Sequence, residues 1–163
     1  MIPFEEASGE MIPKRFFVTG AKATSPVSKL NAFDLALKNA GIAQCNLVQV
    51  SSILPPGCTE EKLSKLPAGS IVFSVVARMD GDEGTTIGAG VSWTWEKQRR
   101  FGIVAESHGH FDGKSLEKIL ARKIDEMAEI RDIRIDSPKS KVEAMCVPRA
   151  SFGCVFAALV FCP

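Results

Sequence analysis

The sequence predicts an α+β fold, and three observations carry that prediction. Four apolar runs rich in β-branched and aromatic residues follow one another between residues 46 and 107, separated by short polar turns, the pattern of strands that pair antiparallel. One amphipathic helical segment precedes this run and another follows it, each with apolar residues at three- and four-residue intervals, so each has a face to lay on a sheet. The chain has 163 residues. That is the size of one domain, enough to bury about two thirds of its unfolded surface around a single core without disulfides or metals.

Taken in order, residues 1–14 repeat Met-Ile-Pro at Met1 and Met11 and are expected to form a loose arm, with Met11 an alternative translation start. Arg15 to Thr19 reads as a strand ending at Gly20, and residues 21–27 as a loop containing Pro26. The first helix is expected to open at Ser28, an N-cap residue, and to close at Gly41, a good C′ residue, with Leu30, Phe33 and Leu37 as its apolar stripe. Asp34 falls about 40° from Leu30 at the edge of that stripe, where a carboxylate needs a cationic or donor partner unless it swings to water. A strand over 46–53 and a polar excursion from Gly57 to Ser64 come next. Strands over 70–77, 86–95 (with small residues at Gly88, Ala89 and Gly90) and 101–107 follow, the acidic turn at 79–84 reading as a hairpin connection. The second helix is expected from Ser115 to Arg131 on the stripe Leu116, Ile119, Leu120, Ile124, Met127 and Ile130, and strands over 142–147 and 153–162 complete the chain.

Composition narrows the function. Twenty basic and 19 acidic residues leave a formal net charge of +1. This balance argues against a nucleic-acid or membrane-surface partner, which would bring a basic excess, and favours a small ligand. The short acidic start carries no export signal, so a cytoplasmic location is expected. Five cysteines without a Cys-x-x-Cys suit reduced, mostly buried thiols better than a disulfide framework or a zinc site.

Few residues stand out as chemical. Asn46 to Gly57 is an apolar strand running into Ser51-Ser52 and then Pro55-Pro56-Gly57, so two hydroxyls sit where a strand must stop and turn. Glu106 lies in a run of small and apolar residues that reads as an interior strand, the setting of a partly desolvated carboxyl suited to general acid work, although a strand-end glutamate reaching water fits the same pattern. His108 and His110 are two residues apart, but nothing completes a metal site around them. Neither a P-loop nor a glycine-rich dinucleotide fingerprint is present. The chemistry left is chemistry the chain generates from itself.

Leu30-Asn31-Ala32-Phe33-Asp34, Asn39-Ala40-Gly41-Ile42, Asn46-Leu47 and Val50-Ser51-Ser52-Ile53-Leu54-Pro55-Pro56 together resemble the archaeal-type pyruvoyl-dependent arginine decarboxylases. Lys65-Leu66-Pro67-Ala68-Gly69, the Glu106 strand, the second helix and Gly153-Cys154-Val155-Phe156-Ala157-Ala158 continue the likeness, which spans residues 15–162.

The resemblance implies an αββα sandwich of antiparallel sheets with helices on the outer faces. It implies autocatalytic serinolysis between Ser51 and Ser52, giving a β chain of residues 1–51 and an α chain of residues 52–163 that begins with a covalent pyruvoyl group made from Ser52. Asn46 is then the processing residue that supplies an oxyanion donor, Glu106 the proton donor, and Asp34 the carboxylate that receives a guanidinium, grouped with Leu30 and Leu37 as substrate-binding. The implied reaction is conversion of L-arginine to agmatine and CO2 through a Schiff base, with neither PLP nor a metal, in an (αβ)3 trimer with active sites between protomers. A related pyruvoyl decarboxylase of another amino acid and an unprocessed, non-catalytic trimeric scaffold stay open as alternatives. The arm and the 58–64 excursion show no match and leave substrate preference open.

Overall fold

The computed structural model describes residues 11–62 and 65–162, so the first Met-Ile-Pro and the end of the polar excursion lie outside the described residues. Among the described residues the elements follow one another as β1 (Arg15–Ser25), α1 (Lys29–Asn39), β2 (Asn46–Gln49), β3 (Ile53–Leu54), β4 (Thr59–Glu60), β5 (Ile71–Gly81), β6 (Thr86–Trp95), β7 (Gly102–Gly109), α2 (Gly113–Ile130), β8 (Lys139–Cys146) and β9 (Phe152–Cys162).

They form two sheets. The first has the order β2-β5-β9-β1-β4 and the second β3-β7-β6-β8. Inward-facing Val75, Ala77, Leu159 and Phe161 of the first sheet meet Ile87, Val91, Trp93 and Val104 of the second in the main core. Period-two alternation turns the other faces outward. There α1 covers Phe17, Phe156 and Val160 of the first sheet, and α2 covers Ile103 and Ala105 of the second. The layers are therefore helix, sheet, sheet, helix, and the fold is the expected α+β sandwich. The sheets are antiparallel apart from two edge pairings, β1 with β4 and β2 with β5, which are parallel. The outer floor under α2 is level because β6 carries glycines there; a Cβ on Gly90 would lie 2.9 Å from Leu120 Cδ1.

Both helices start as their caps dictate. The Ser28 hydroxyl accepts the Asn31 amide, and the Asp112 carboxylate accepts the Ser115 amide, each satisfying a donor that the first turn leaves free. Gly41 sits at C′ of α1 with φ +81°, the left-handed conformation that favours glycine. The stripes are shifted from those expected. The buried face of α1 is Ala32 and Ala36, followed by Ala40, whereas Leu30 is 71% exposed. The small alanines let the helix lie close to β1 and β9, which turns Leu30 outward beside Asp34. On α2 the buried row is Leu116, Leu120, Ile124 and Ala128, and Ile130 at its end is exposed.

The run of strands also differs from expectation. Residues 46–53 are not one strand: β2 ends at Gln49 in the first sheet and β3 begins at Ile53 in the second. The acidic turn after Gly81 is not a hairpin, because it carries the chain from β5 in the first sheet to β6 in the second; only β6 and β7 pair as a hairpin. A sandwich with sequential strands in opposite layers buries two apolar faces against each other, and local turn chemistry does not reveal which layer the next strand joins. β1 runs on to Ser25, through residues expected to be a loop, because all eleven of its residues pair with β9. The polar excursion contains β4 and the buried Cys58. Cys58, Cys154 and Cys162 are buried, Cys45 is half-buried and Cys146 is exposed.

Candidate active site

Ser51 and Ser52 form the passage between the two sheets. On the upstream side the Val50 amide donates to the Ser74 carbonyl at 3.0 Å, extending the β2–β5 ladder by one residue. On the downstream side the Ser52 carbonyl accepts the Val104 amide at 2.9 Å, and Ile53 then pairs with Ile103. Sandwiched sheets lie about 10 Å apart, but the two residues from Val50 to Ser52 span at most about 7 Å. The crossing is therefore made where the two edge strands β2 and β3 converge. Ser51 is exposed and Ser52 half-buried, and each is tied down through a neighbouring peptide in a different sheet.

Glu106 stands beside this crossing. β3 is only two residues long, so beyond Val104 the edge of β7 has no strand partner on that side among the described residues. Glu106 follows Val104 by two positions and so projects from the same face, the one turned toward the other sheet. It is half-buried, opposite Val91 of β6. Its backbone carbonyl accepts a hydrogen bond from Lys123 Nζ of α2 at 2.9 Å, and the same amine lies 3.2 Å from Ser107 Oγ, fixing this part of β7 from the outer layer.

The remaining expected residues lie elsewhere on the chain. Asn46 opens β2 and is exposed, its side-chain amide donating to the Gly69 carbonyl at 3.2 Å. Extended pairing from Asn46 to Val50 puts those two residues about 13 Å apart at 3.3 Å per residue. Asp34 and Leu30 are exposed on α1, over the outer face of the first sheet, and Leu37 is partly buried against that sheet. One chain thus places Glu106 two positions along β7 from the residue that holds Ser52, whereas Asn46 lies at the other end of β2 and Asp34, Leu30 and Leu37 lie on α1 over the outer face of the first sheet. Three large apolar side chains flanking the crossing are exposed, Val48, Val50 and Ile53, and so is Ile71, which pairs with Asn46 at the far end of β2.

The position of Asp34 depends on how α1 is seated. Phe33, the residue before it, packs against Phe156 with ring centroids 6.0 Å apart and carries the Arg78 guanidinium 3.6 Å over its own ring. Arg78 is in turn gripped by Asp80, with Nε 3.0 Å from Oδ1 and Nη2 2.7 Å from Oδ2. Burial, and then the Asp80 carboxylate beside it, pushes the Cys154 thiol up to about 12. At the start of the helix Lys29 pairs with Asp82 at 2.9 Å.

Two concavities lie away from these residues. One of about 460 Å³ is lined by Glu96, Lys97, Arg100, Asp132 and Arg134, and one of about 370 Å³ by Cys58, Glu60, Trp95 and Arg99. In the first, Arg100 holds the nearly buried Glu96 carboxylate, with Nε 2.9 and 3.0 Å from its two oxygens, and these bonds hold the Glu96 carboxyl below the usual carboxylate range. His110 Nδ1 lies 3.1 Å from the Thr86 carbonyl, and among the described residues no three His, Cys, Asp or Glu side chains gather as a metal set. Among the described residues, no helix is long and apolar enough to cross a membrane.

The backbone groups of Ser74 and Val104 that anchor the crossing had no signal in the sequence, since any residue supplies an amide and a carbonyl. Arg78 and Asp80 carry a faint one, two opposite charges at strand spacing where an apolar run meets the acidic stretch expected to be a turn; β5 in fact runs on to Gly81.

The sequence matches the family model for pyruvoyl-dependent arginine decarboxylase over residues 15–163. It is 31% identical over 150 residues to a Methanopyrus kandleri protein named pyruvoyl-dependent arginine decarboxylase, covering 92% of this chain and 97% of that one. A Methanocaldococcus jannaschii protein of the same name is 35% identical over 133 residues, covering 79% of this chain and 78% of its own. An Archaeoglobus fulgidus protein named pyruvoyl-dependent arginine decarboxylase 2 is 44% identical over 108 residues, covering 62% of this chain and 68% of its own.

Proposed function

The chain belongs to the pyruvoyl-dependent arginine decarboxylase family, and from that membership we propose that it cuts itself between Ser51 and Ser52 and then converts L-arginine to agmatine and CO2. The observation that carries this reading is the crossing itself, a Ser-Ser peptide bond that links two sheets next to the strand that carries Glu106.

In the cut, the Ser52 hydroxyl attacks the Ser51 carbonyl, and the acyl group passes from nitrogen to oxygen. Elimination breaks the Cβ–Oγ bond of residue 52 and leaves Ser51 with a free carboxylate. Hydrolysis of the resulting dehydroalanine, with loss of ammonia, leaves the pyruvoyl group. Only a residue with a β-hydroxyl can both attack and depart in this way. The anchoring supports the step: Val50 stays in the ladder of the first sheet and residue 52 in that of the second, so the new ends are free to part. The shorter piece, residues 1–51, stays in place because β1 lies inside the first sheet between β9 and β4.

Residue 52 fits the group. Its carbonyl is held by the Val104 amide, its side chain is half-buried, and the Glu106 strand runs alongside. The pyruvoyl ketone supplies an electron sink for departure of the carboxylate, the part that pyridoxal phosphate plays in other decarboxylases. Glu106 delivers a proton to the α-carbon that CO2 leaves. Asp34 receives the guanidinium through a charge-assisted pair, with Leu30 and Leu37 lining the approach.

The separation of these residues on one chain supports a site assembled between protomers of an (αβ)3 trimer. Exposed Val48, Val50, Ile53 and Ile71 offer the apolar surface such an assembly would bury. Asn46 then supplies its oxyanion donor to the Ser51 carbonyl of a neighbouring copy.

Intact-mass measurement of the purified protein tests the reading. Two pieces meeting at Ser51 and Ser52, with the larger blocked at its N-terminus, are expected; one unmodified chain after prolonged incubation under active conditions would leave a non-catalytic scaffold. Asp34→Asn tests the substrate. Arginine turnover is expected to fall by about 30-fold or more, from loss of about 2 kcal/mol or more of charge-assisted binding. Undiminished turnover would assign the side-chain pocket to another amino acid.

A further inference from the structure

We infer that Arg78 is a positioning residue for substrate recognition, seating α1 so that the Asp34 carboxylate meets its target. The inference rests on the assignment of Asp34 to the guanidinium. The buried face of α1 is made of Ala32 and Ala36, with Ala40 at the C-cap, and methyl groups interlock poorly with a sheet. Such a helix is free to turn about its axis unless something larger holds it. Toward its C-terminal end α1 is held by Leu37, packed on the sheet, and by the Thr19 hydroxyl, which donates to the Ala40 carbonyl at 2.7 Å; beside Asp34 the holder is Phe33, wedged between the Phe156 ring and the Arg78 guanidinium 3.6 Å above it. A guanidinium lying on a ring face is attracted to it, and two charge-assisted bonds to Asp80 at 3.0 and 2.7 Å remove the freedom the arginine would otherwise have. The Lys29–Asp82 pair ties down only the exposed first turn, where an ion pair contributes little.

The geometry sets the size of the effect. A side chain reaches about 6 Å from the helix axis, so a 20° turn of α1 would carry the Asp34 carboxylate about 2 Å. Misplacement of that order is enough to lose a bidentate pair, which tolerates about 0.5 Å. Arg78 touches neither Ser51, Ser52 nor Glu106 in these interactions, so it is expected to change recognition of substrate rather than self-cleavage or proton transfer.

The test uses self-processed protein carrying Arg78→Ala, Asp80→Asn, Asp34→Asn, or Arg78→Ala with Asp34→Asn, assayed with arginine after intact mass has confirmed cleavage. Arg78→Ala is expected to raise KM about tenfold and to leave kcat within about twofold. Asp80→Asn, which frees the guanidinium without emptying the site, moves KM in the same direction and decides the matter if Arg78→Ala does not fold. The double variant is expected to match Asp34→Asn alone. Wild-type KM in Arg78→Ala or Asp80→Asn beside a raised KM in Asp34→Asn overturns this inference and spares the Asp34 assignment. An additive effect in the double variant overturns it too, because Arg78 would then act by another route. Wild-type KM in Asp34→Asn instead removes the guanidinium assignment itself, and the inference with it.

Discussion

Gly102→Ala is expected to slow self-cleavage without touching any residue that takes part in it. Gly102 pairs with Leu54 of β3 on one side and with Trp95 of β6 on the other. A Cβ there would lie 2.7 Å from the Thr94 carbonyl oxygen, 2.9 Å from Leu54 Cδ1 and 3.0 Å from Leu54 Cβ. None of the three has room, since Leu54 is fully buried and Thr94 belongs to a ladder of eight residue pairs. The weaker partner yields: β3 is two residues long, and its displacement draws Ser52 away from the Val104 amide. Overpacking of this kind costs about 1–3 kcal/mol. If the strain falls on the docking of β3, the population with Ser52 in place drops by about 5- to 150-fold, and cleavage slows in proportion. The assay follows conversion of the full chain into residues 1–51 and 52–163 over time by denaturing electrophoresis, with thermal unfolding in parallel to confirm the fold. Wild-type cleavage kinetics in a folded Gly102→Ala protein would refute the claim that seating of β3 prepares the Ser-Ser bond.

Three further outcomes follow from the same structure. Ser52→Ala should remain one chain by intact mass, because the attacking and departing oxygen is gone; any cut product would move the chemistry to another residue. Glu106→Gln should cleave normally and decarboxylate about 10²- to 10⁴-fold more slowly, the usual worth of a positioned proton donor; an uncut protein would tie Glu106 to processing instead. Glu96 bears on acid stability: its folded carboxyl is held below the usual range by Arg100, so it contributes stability above the unfolded value that is lost as pH falls through the folded one. Denaturant titrations should therefore find Glu96→Gln less stable than wild type at pH 7 and equal to it in strong acid, and a deficit persisting in acid would mean that packing, not charge, is at stake.

Much of this protein was legible before any coordinates. Both helices are legible from their apolar spacing, and the first also from its caps, since Ser28 and Gly41 act through local hydrogen bonds and local backbone angles that nearby residues determine; the second begins two residues before the expected Ser115, capped by Asp112. The α+β class followed from the order of periodicities, and the family from the blocks around Asp34 and Ser51-Ser52. What could not be read was which layer each strand joins. Residues 46–53 have the composition of one strand, and nothing in Val50-Ser51-Ser52 announces that Ser74 holds one end in the first sheet and Val104 the other in the second. The same limit applied to α1, where Leu30 looked like core by spacing and is exposed because alanines seat the helix.

The division has a physical cause. The sequence by itself determined the helices, the fold class, the serine pair and the carboxylates available for chemistry, all of which depend on side-chain type and short-range spacing. The tertiary structure alone decided that the serine pair is the bridge between two sheets, that Glu106 stands beside it, and that Asp34 and Asn46 are held apart from it within one chain. Those facts rest on backbone hydrogen bonds between segments distant in sequence, and a peptide amide or carbonyl looks the same whatever residue carries it.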